Sequence, residues 1–330
     1  MEVTMKGRQK GKGKRKKEMN KAELTNHVEE ASSVREASDF KGQHQKRMKA
    51  ENFFRRLFFL SAMVALAAVV AITIFIFVSG VPAIAKIGVF DFVFGQKWKP
   101  SADIYGIFPM IIGSLAATGG AILIGVPMGI FTAIFMAEIA PDFISKLIRP
   151  AIELLAGIPS VVYGFWGLVV LVPLIDKLWG GGGNSLLAAI VILMIMILPT
   201  IVNVSEAALR AVPKAYGQGS LALGASKIET IFRVKLPAAK SGILAAVVLG
   251  IGRAIGETMA VILVAGNTPM IPGALTDRIR TMTANIAMEM GYAFGLHQEA
   301  LFATGVILFV FIMALNFALN RITHQAGDEL

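Results

Sequence analysis

Two charged residues lie within a stretch that is otherwise apolar or small and is long enough to cross a membrane. They are Arg253 and Glu257, near the middle of residues 241–266. A charge at the centre of a membrane-spanning helix costs about 3 to more than 10 kcal/mol, so such residues usually serve transport, gating or helix contacts. Because the two residues are four apart, we expect their side chains on one helical face, where they can form an ion pair. Arginine can also bind an oxyanion through its planar fork of donors.

Small residues recur at steps of three or four around this pair. Besides the two charged residues, the stripe comprises Gly242, Ala246, Gly250, Ala260 and Val264. We expect this face to point into the protein, where small side chains leave room for an anion pathway. The alternative is an Arg–Glu pair that only bridges helices. The two roles are compatible if Glu257 holds Arg253 while no substrate is bound.

The composition of the chain indicates an integral membrane protein. Of its 330 residues, 55% are hydrophobic and 16% are charged, and long apolar runs recur. The chain contains no cysteine, and its four histidines do not have the spacing of metal ligands. Disulfides, thiolate metal sites and cysteine nucleophiles are therefore excluded, and we expect no catalytic site and no metal site.

Apolar runs predict an all-α, polytopic protein with six membrane spans. The predicted spans are 57–78, 107–137, 151–173, 186–205, 241–265 and 300–321. The first 56 residues hold 16 of the 32 Lys and Arg residues and few apolar ones, so we expect a disordered tail.

The distribution of basic residues predicts the orientation of the spans. With the tail in the cytoplasm, the internal segments carry 25 Lys and Arg residues and the external loops carry 6. This arrangement satisfies the positive-inside rule and places both the tail and the C-terminal end, residues 323–330, in the cytoplasm. We expect the tail to contact anionic lipid and to bind no specific nucleic acid.

The predicted internal segment 206–240, here called the 206–240 segment, has helical periodicity on both sides of Gly224. Ser226 and Glu229 have the spacing of a capping box, which predicts a short helix that starts at Ser226 and stops before Pro237. Two short helices here would form a knob that inserts into a groove of a partner protein. The alternative is an amphipathic surface loop without a partner.

The same segment resembles the EAA loop of ABC importer permeases, which docks on the ATPase subunit. Gly224, nine further residues and then Val-Lys-Leu-Pro match the G-x9-I-x-L-P half of that motif. The Glu-Ala-Ala half is replaced by Gln218-Gly219-Ser220, so its acidic contact is not carried over. The resemblance implies a cytoplasmic coupling loop. Its residues would be Gly224, Ala225, Ser226, Glu229, Val234, Leu236 and Pro237.

Two longer segments resemble the phosphate-specific transport permeases, and among these the PstC type. They read ELLAGIPSVVYGFWGL at 153–168 and GRAIGETMAVILVAGNT at 252–268, and the likeness extends over about residues 55–322. The resemblance implies the type I ABC importer permease fold, a bacterial cell membrane location and import of inorganic phosphate.

It also implies three kinds of partner: a second permease of the PstA type, an ATP-binding subunit dimer of the PstB type, and an external phosphate-binding protein of the PstS type. ATP and Mg would bind to the ATPase partner. This chain has no G-x4-G-K-[ST] phosphate loop, so we expect a transporter subunit without enzymatic activity or a cofactor of its own.

Other functions remain open from the sequence. A permease for sulfate or molybdate would use the same residues, whereas an ion-coupled secondary transporter or a channel would need no docking loop. We predict that Arg253 and Glu257 line the substrate pathway, with Glu257 competing with phosphate for Arg253. For Asp277, Arg278 and Arg280, contact with the external binding protein and a solvated charge cluster are both open.

Overall fold

The computed structural model describes residues 51–327, and the predicted tail lies outside these residues up to position 50. Residues 51–73 belong to one structural unit and residues 74–327 to another. Residues 51–56 are helical, so the helical part of the chain begins before the predicted boundary at 57. At the other end, the last helix continues to Gly327 and includes most of the predicted C-terminal end.

The described residues are mostly helical, with one small antiparallel hairpin. The α-helices are α1 Glu51–Ile87, α2 Val89–Phe94, α3 Phe108–Ile134, α4 Asp142–Gly157, α5 Ser160–Trp166, α6 Val172–Trp179, α7 Leu186–Ala211, α8 Lys214–Ala222, α9 Lys227–Thr230, α10 Leu236–Ala238, α11 Lys240–Gly256, α12 Met259–Val264, α13 Met282–Glu289 and α14 Leu296–Gly327. The π-helical turns are π1 Phe135–Ile139, π2 Gly167–Leu171 and π3 Ile231–Lys235, and a 3-10 turn covers Pro100–Ala102. The hairpin pairs β1 Trp98–Lys99 with β2 Ile104–Tyr105.

Five helical stretches are long and apolar enough to cross a membrane. They are Glu51–Ile87, Phe108–Ile139, Ser160–Trp179, Leu186–Ala211 and Leu296–Ala318. A sixth is obtained if Lys227–Ala238 and Lys240–Gly256, which meet at a bend of 70°, are counted as one span. The predicted all-α, polytopic class is confirmed.

The third crossing helix begins later than the predicted span 151–173. Helix α4 ends at Gly157, the next two residues are extended, and the crossing helix starts at Ser160 and reaches Trp179. Pro159 causes this break, because proline lacks an N–H donor and disfavours helical backbone in the residue before it. Residues 151–157 therefore belong to a separate amphipathic helix.

Helix α7 packs against α3 through a stripe of glycines. A Cβ atom at Gly120, Gly125 or Gly129 would lie 2.5, 2.9 or 2.6 Å from the facing isoleucine side chain of α7. Small residues allow membrane helices to approach closely, and here they receive the branched side chains of the neighbouring helix. The close contact fixes α3 and α7 against each other.

A buried carboxylate joins three elements at the C-terminal end of α7. Glu206 is only 3% exposed in its side chain and forms ion pairs with Arg149 of α4 and with Arg210, whose Nε lies 2.8 Å from the carboxylate. Arg210 also donates from Nη2 to the main-chain carbonyl of Met136 in π1, at 2.9 Å. Glu206 thereby links α4, α7 and the end of α3.

The capping box predicted in the 206–240 segment is confirmed. The Ser226 hydroxyl accepts from the Glu229 N–H at 3.2 Å, and the Glu229 carboxylate accepts from the Ser226 N–H at 2.9 Å. The predicted stop before Pro237 is wrong, because the helix continues through π3 and α10 to Ala238. Pro237 lies directly after the π turn π3 and does not end the helix.

We expect Glu206→Gln to lower the free energy of unfolding by about 1–3 kcal/mol. The substitution removes a buried charge that two arginines share, but those arginines are 46% and 48% exposed and keep their contact with water. Denaturant titration of the purified protein in detergent measures the change. Glu153→Gln, at an exposed carboxylate of α4, is the control, and equal destabilisation by both variants would contradict the prediction.

The capping box also predicts a pH effect. Hydrogen bonds from the Ser226 N–H and hydroxyl hold the pKa of Glu229 below its ordinary value. The cap therefore stabilises its helix above the ordinary glutamate pKa of about 4.3 and loses this contribution as the pH falls through the lowered pKa. We expect Ser226→Ala to raise the pKa of Glu229 and Ser226→Thr to preserve it. Carboxyl NMR titration, with Glu229→Gln assigning the signal, tests this; an unchanged pKa in the alanine variant would contradict it.

Candidate functional site

The stretch that carries Arg253 and Glu257 is broken rather than continuous. Helix α11 ends at Gly256, Glu257 has extended backbone with φ −69° and ψ 128°, and α12 starts at Met259. The predicted continuous span 241–265 is therefore wrong between these residues. Since Glu257 lies beyond the end of α11, it does not share a helical face with Arg253.

Side chains satisfy the backbone at this break. The Glu257 carboxylate accepts from the Ala260 N–H at 3.1 Å and so caps the first turn of α12. The Glu257 carbonyl accepts from the Thr283 hydroxyl at 3.0 Å, which ties the break to α13. These bonds supply partners that a continuous helix would have provided from its own backbone. Glu257 thus acts first as a cap in this conformation.

Arg253 projects from an exposed face of α11. That face also carries Ser241, Ala245, Leu249, Gly252 and Gly256. The expected stripe is therefore divided: Ala246 and Gly250 are buried in contact with the rest of the chain, whereas Arg253 is exposed. Gly250 packs closely against Ile201 of α7, because an added Cβ would lie only 3.0 Å from the isoleucine side chain.

The expected ion pair between Arg253 and Glu257 does not form. Among the salt bridges within residues 51–327, none includes Arg253. Arg253 lies 13 residues beyond Lys240, which corresponds to about 20 Å along α11 at the helical rise of 1.5 Å per residue. The guanidinium is thus placed far from the 206–240 segment, at the depth of the crossing helices.

The 206–240 segment forms a helical knob whose tip is apolar. Gly224 lies at the tip with φ +89°, a left-handed conformation that glycine adopts without strain. The preceding Leu223 is 91% exposed, the highest value among the large apolar side chains that the structure describes. The motif in the sequence indicates Gly224 but not Leu223, because the exposure of a side chain cannot be read from the spacing of the motif.

The other predicted residues of this segment extend from the tip towards α11. Glu229, Ser226 and Pro237 are exposed, whereas Ala225, Val234 and Leu236 are half-buried. They form one continuous arm together with Gly224, and the structure does not bring them near Arg253. The motif residues and the charged residues are therefore two separate sites.

A second buried carboxylate, missed from the sequence, gathers donors near the N-terminal end of α14. Glu289 is 6% exposed and accepts from Trp98 Nε1 at 2.9 Å and from Arg280 Nη1 at 2.6 Å. His297 Nε2 lies 2.8 Å from the same carboxylate. The solvated charge cluster considered from the sequence does not include Arg280, because its side chain is internal and only 13% exposed. Trp98 and Glu289 are 191 positions apart, so no local pattern in the sequence reveals their contact.

The hairpin beside this carboxylate is held by a neutral tyrosine. Burial, followed by the hydrogen bond to Asp103 and the charge of that residue, raises the pKa of Tyr105 to about 12. At neutral pH the hydroxyl is therefore protonated and donates to Asp103 Oδ1 at 3.1 Å. Its ring stacks on His297 with centroids 6.2 Å apart.

Comparison with known protein families identifies related permeases. The model of the family described as binding-protein-dependent transport system inner membrane component matches residues 125–326. The chain is 43% identical to the probable ABC transporter permease protein YqgH of Bacillus subtilis (strain 168), over 84% of this chain and 93% of the relative.

Two relatives are phosphate transport system permease proteins PstC. The protein from Haemophilus influenzae is 34% identical over 82% of this chain and 92% of its own length. The protein from Mesorhizobium japonicum is 35% identical over 81% of this chain and 89% of its own length. The resemblance to PstC-type permeases is confirmed.

Solved structures of ABC importers share the fold. A bacterial transporter involved in the import of the acidic polysaccharide alginate has a TM-score of 0.54 at 17% identity, over 79% of this chain and 95% of that chain. The inward-facing MetNI methionine transporter has a TM-score of 0.51 at 20% identity, over 67% of this chain and 94% of that chain. These structures confirm the type I ABC importer permease fold. On the family match and the curated relatives together, the chain belongs to the binding-protein-dependent transport system inner membrane components, the membrane permeases of ABC importers.

Proposed function

We propose that this chain is a permease subunit of an ATP-driven inorganic phosphate importer. The observation that carries the proposal is the exposed Arg253, which lies in the last turn of α11 on a face of mainly small residues, next to the helix break. A guanidinium at membrane depth is too costly to face lipid, so its exposed face must meet water or another protein. In a complete importer, this face borders the pathway between two permeases.

The chemistry of Arg253 suits an oxyanion substrate. Its guanidinium presents parallel N–H donors that match two oxygens of a phosphate, and its charge persists at physiological pH. Because no carboxylate pairs with it within residues 51–327, binding of an anion requires no ion pair there to be broken. The PstC names of two relatives favour phosphate over sulfate or molybdate.

Glu257 is placed beside the pathway in a role that depends on conformation. While its carboxylate caps α12, the break between α11 and α12 keeps its shape. Competition between Glu257 and phosphate for Arg253 requires that this cap open. In this proposal the Glu257 carboxylate therefore has two positions. In one it caps α12 and holds the break; in the other it binds Arg253 and displaces the substrate.

The 206–240 segment is the proposed docking site for a cytoplasmic ATPase dimer of the PstB type. Its exposed Leu223 at the tip offers an apolar anchor, and the helices on either side form the knob that enters a groove. ATP and Mg would bind to that partner. A secondary transporter or channel would have no use for such a tip.

The remaining partners follow from the same proposal. A second permease of the PstA type faces α11 across the pathway, and an external binding protein of the PstS type delivers phosphate. The excess of basic residues in the predicted internal segments favours cytoplasmic N- and C-termini in a bacterial cell membrane. Membrane lipid surrounds the outward faces of the crossing helices.

We expect Arg253→Gln to reduce ATP-dependent phosphate uptake by about 10- to 100-fold, the effect of losing one charged hydrogen-bonding partner of 1.5–3 kcal/mol. Arg253→Lys, which keeps the charge but loses the fork, should give an intermediate rate. Uptake into vesicles that contain the purified complex, with sulfate and molybdate as competitors, measures this. Full uptake by Arg253→Gln would exclude a direct role, and stronger competition by sulfate or molybdate than by unlabelled phosphate would favour the rival substrates.

We expect Leu223→Ala to weaken the binding of the ATPase by about 10- to 100-fold, because burial of one leucine contributes about 1.5–3 kcal/mol. Copurification of the ATPase with the permease at graded concentrations tests this. Leu123→Ala is the control, since Leu123 is 76% exposed on α3 and away from the segment. Equal retention of the ATPase by Leu223→Ala and by Leu123→Ala would contradict the docking proposal.

A backbone variant tests the same site independently. Gly224→Ala adds a Cβ to a left-handed residue with no atom within 4 Å, so its cost is backbone strain of about 1–2 kcal/mol and not a clash. We expect it to reduce retention of the ATPase. Gly224→Asn should preserve retention, because asparagine tolerates this conformation. A loss of retention as large in Gly224→Asn as in Gly224→Ala would show that backbone conformation is not what matters at the tip.

A further inference from the structure

A charged contact joins the 206–240 segment to α3. Lys235 Nζ lies 2.6 Å from Glu138 Oε2, and the two side chains are only 22% and 12% exposed. Lys235 belongs to π3, and Glu138 belongs to π1, which continues directly from α3. An ion pair that is largely removed from water is less screened than one on the surface, so it resists separation.

The aliphatic part of Lys235 is also enclosed. It crosses the buried Gly217 of α8, where an added Cβ would lie 2.9 Å from the lysine Cε. Ser220 of α8 and Thr230 of α9 form a second contact between the helices on the two sides of Gly224, with their hydroxyl oxygens 3.0 Å apart. The helices on the two sides of Gly224 are thereby held together, and the side chain of Lys235 reaches from them to Glu138 at the end of α3.

The chain itself connects this segment to α7 and α11 but not to α3. Residues 97 positions apart form the ion pair, whereas α10 leads into α11 through Ala239 alone. Both partners lie on π-helical turns, which occur often at functional positions in helices. No covalent path leads directly from the segment to α3, so the ion pair adds a second polar connection to the hydrogen bond between Arg210 and the Met136 carbonyl of π1.

We infer that the Lys235–Glu138 ion pair transmits movement of the 206–240 segment to α3, so that α3 and α11 move together during the ATPase cycle. This inference rests on the proposed function. Lys235 and Glu138 are positioning residues in it, because neither contacts substrate. Their loss should leave the ATPase bound and active while fewer phosphate ions cross per ATP hydrolysed.

The test is the ratio of phosphate uptake to ATP hydrolysis, measured in the same vesicles with the complete transporter. We expect Lys235→Gln and Glu138→Gln to retain the ATPase and to lower this ratio by about 5- to 10-fold, within the usual range of coupling energies between sites. The double variant Lys235→Glu with Glu138→Lys should restore the ratio to within about 2-fold of the unaltered protein, because the pair is rebuilt with reversed charges.

Arg233→Gln is the matched control, since Arg233 lies in the same π turn and is exposed. Single variants with the same ratio as this control would overturn the inference. Loss of the ATPase from the single variants would also overturn it, by showing that the pair only supports the fold of the segment; Lys235→Arg, which keeps the pair, should then still retain the ATPase. A failure of the unaltered protein to take up phosphate with ATP would instead refute the proposed function.

Discussion

Every backbone N–H and C=O group that faces the hydrocarbon of a membrane needs a partner within the protein, because the bilayer offers no water to replace one. This constraint governs the segment between α11 and α12, where the helix stops and its backbone loses its regular partners. Glu257 and Thr283 provide substitutes, one through a carboxylate and one through a hydroxyl. With the break stabilised in this way, Arg253 is left in the last turn of α11 on a face that residues 51–327 do not cover.

At each end of the helical bundle, one buried carboxylate binds several polar side chains. Glu206 collects two arginines where α7 ends, and Glu289 collects a tryptophan, an arginine and a histidine near the start of α14. In each case one buried carboxylate joins elements that are distant in sequence. Between these two ends, α3 and α7 are held by the close approach of glycines to isoleucines and not by charge. The bundle thus combines polar anchors at its ends with an apolar contact between its crossing helices.

The class and much of the layout could be predicted from sequence, because long apolar runs and a capping box are local signals. The helix break at Glu257 was missed, since the apolar pattern continues through it and only Gly256 hints at a weak point. The break at Pro159 had a clear signal in the proline itself, but the apolar run obscured it. Ion pairs such as Lys235–Glu138 join residues far apart in the chain, and one sequence contains no information on which distant charges meet.

The bend of 70° between the arm that ends at Ala238 and helix α11 has a mechanical consequence. A force along the arm acts mostly across the axis of α11, with a minor part along it. Such a force swings α11 sideways and moves it little along its own axis, which crosses the membrane in the proposed importer. Arg253, near the far end of α11, would then sweep laterally at nearly constant depth, so its charge would not have to be pushed deeper into the hydrocarbon when the helix moves.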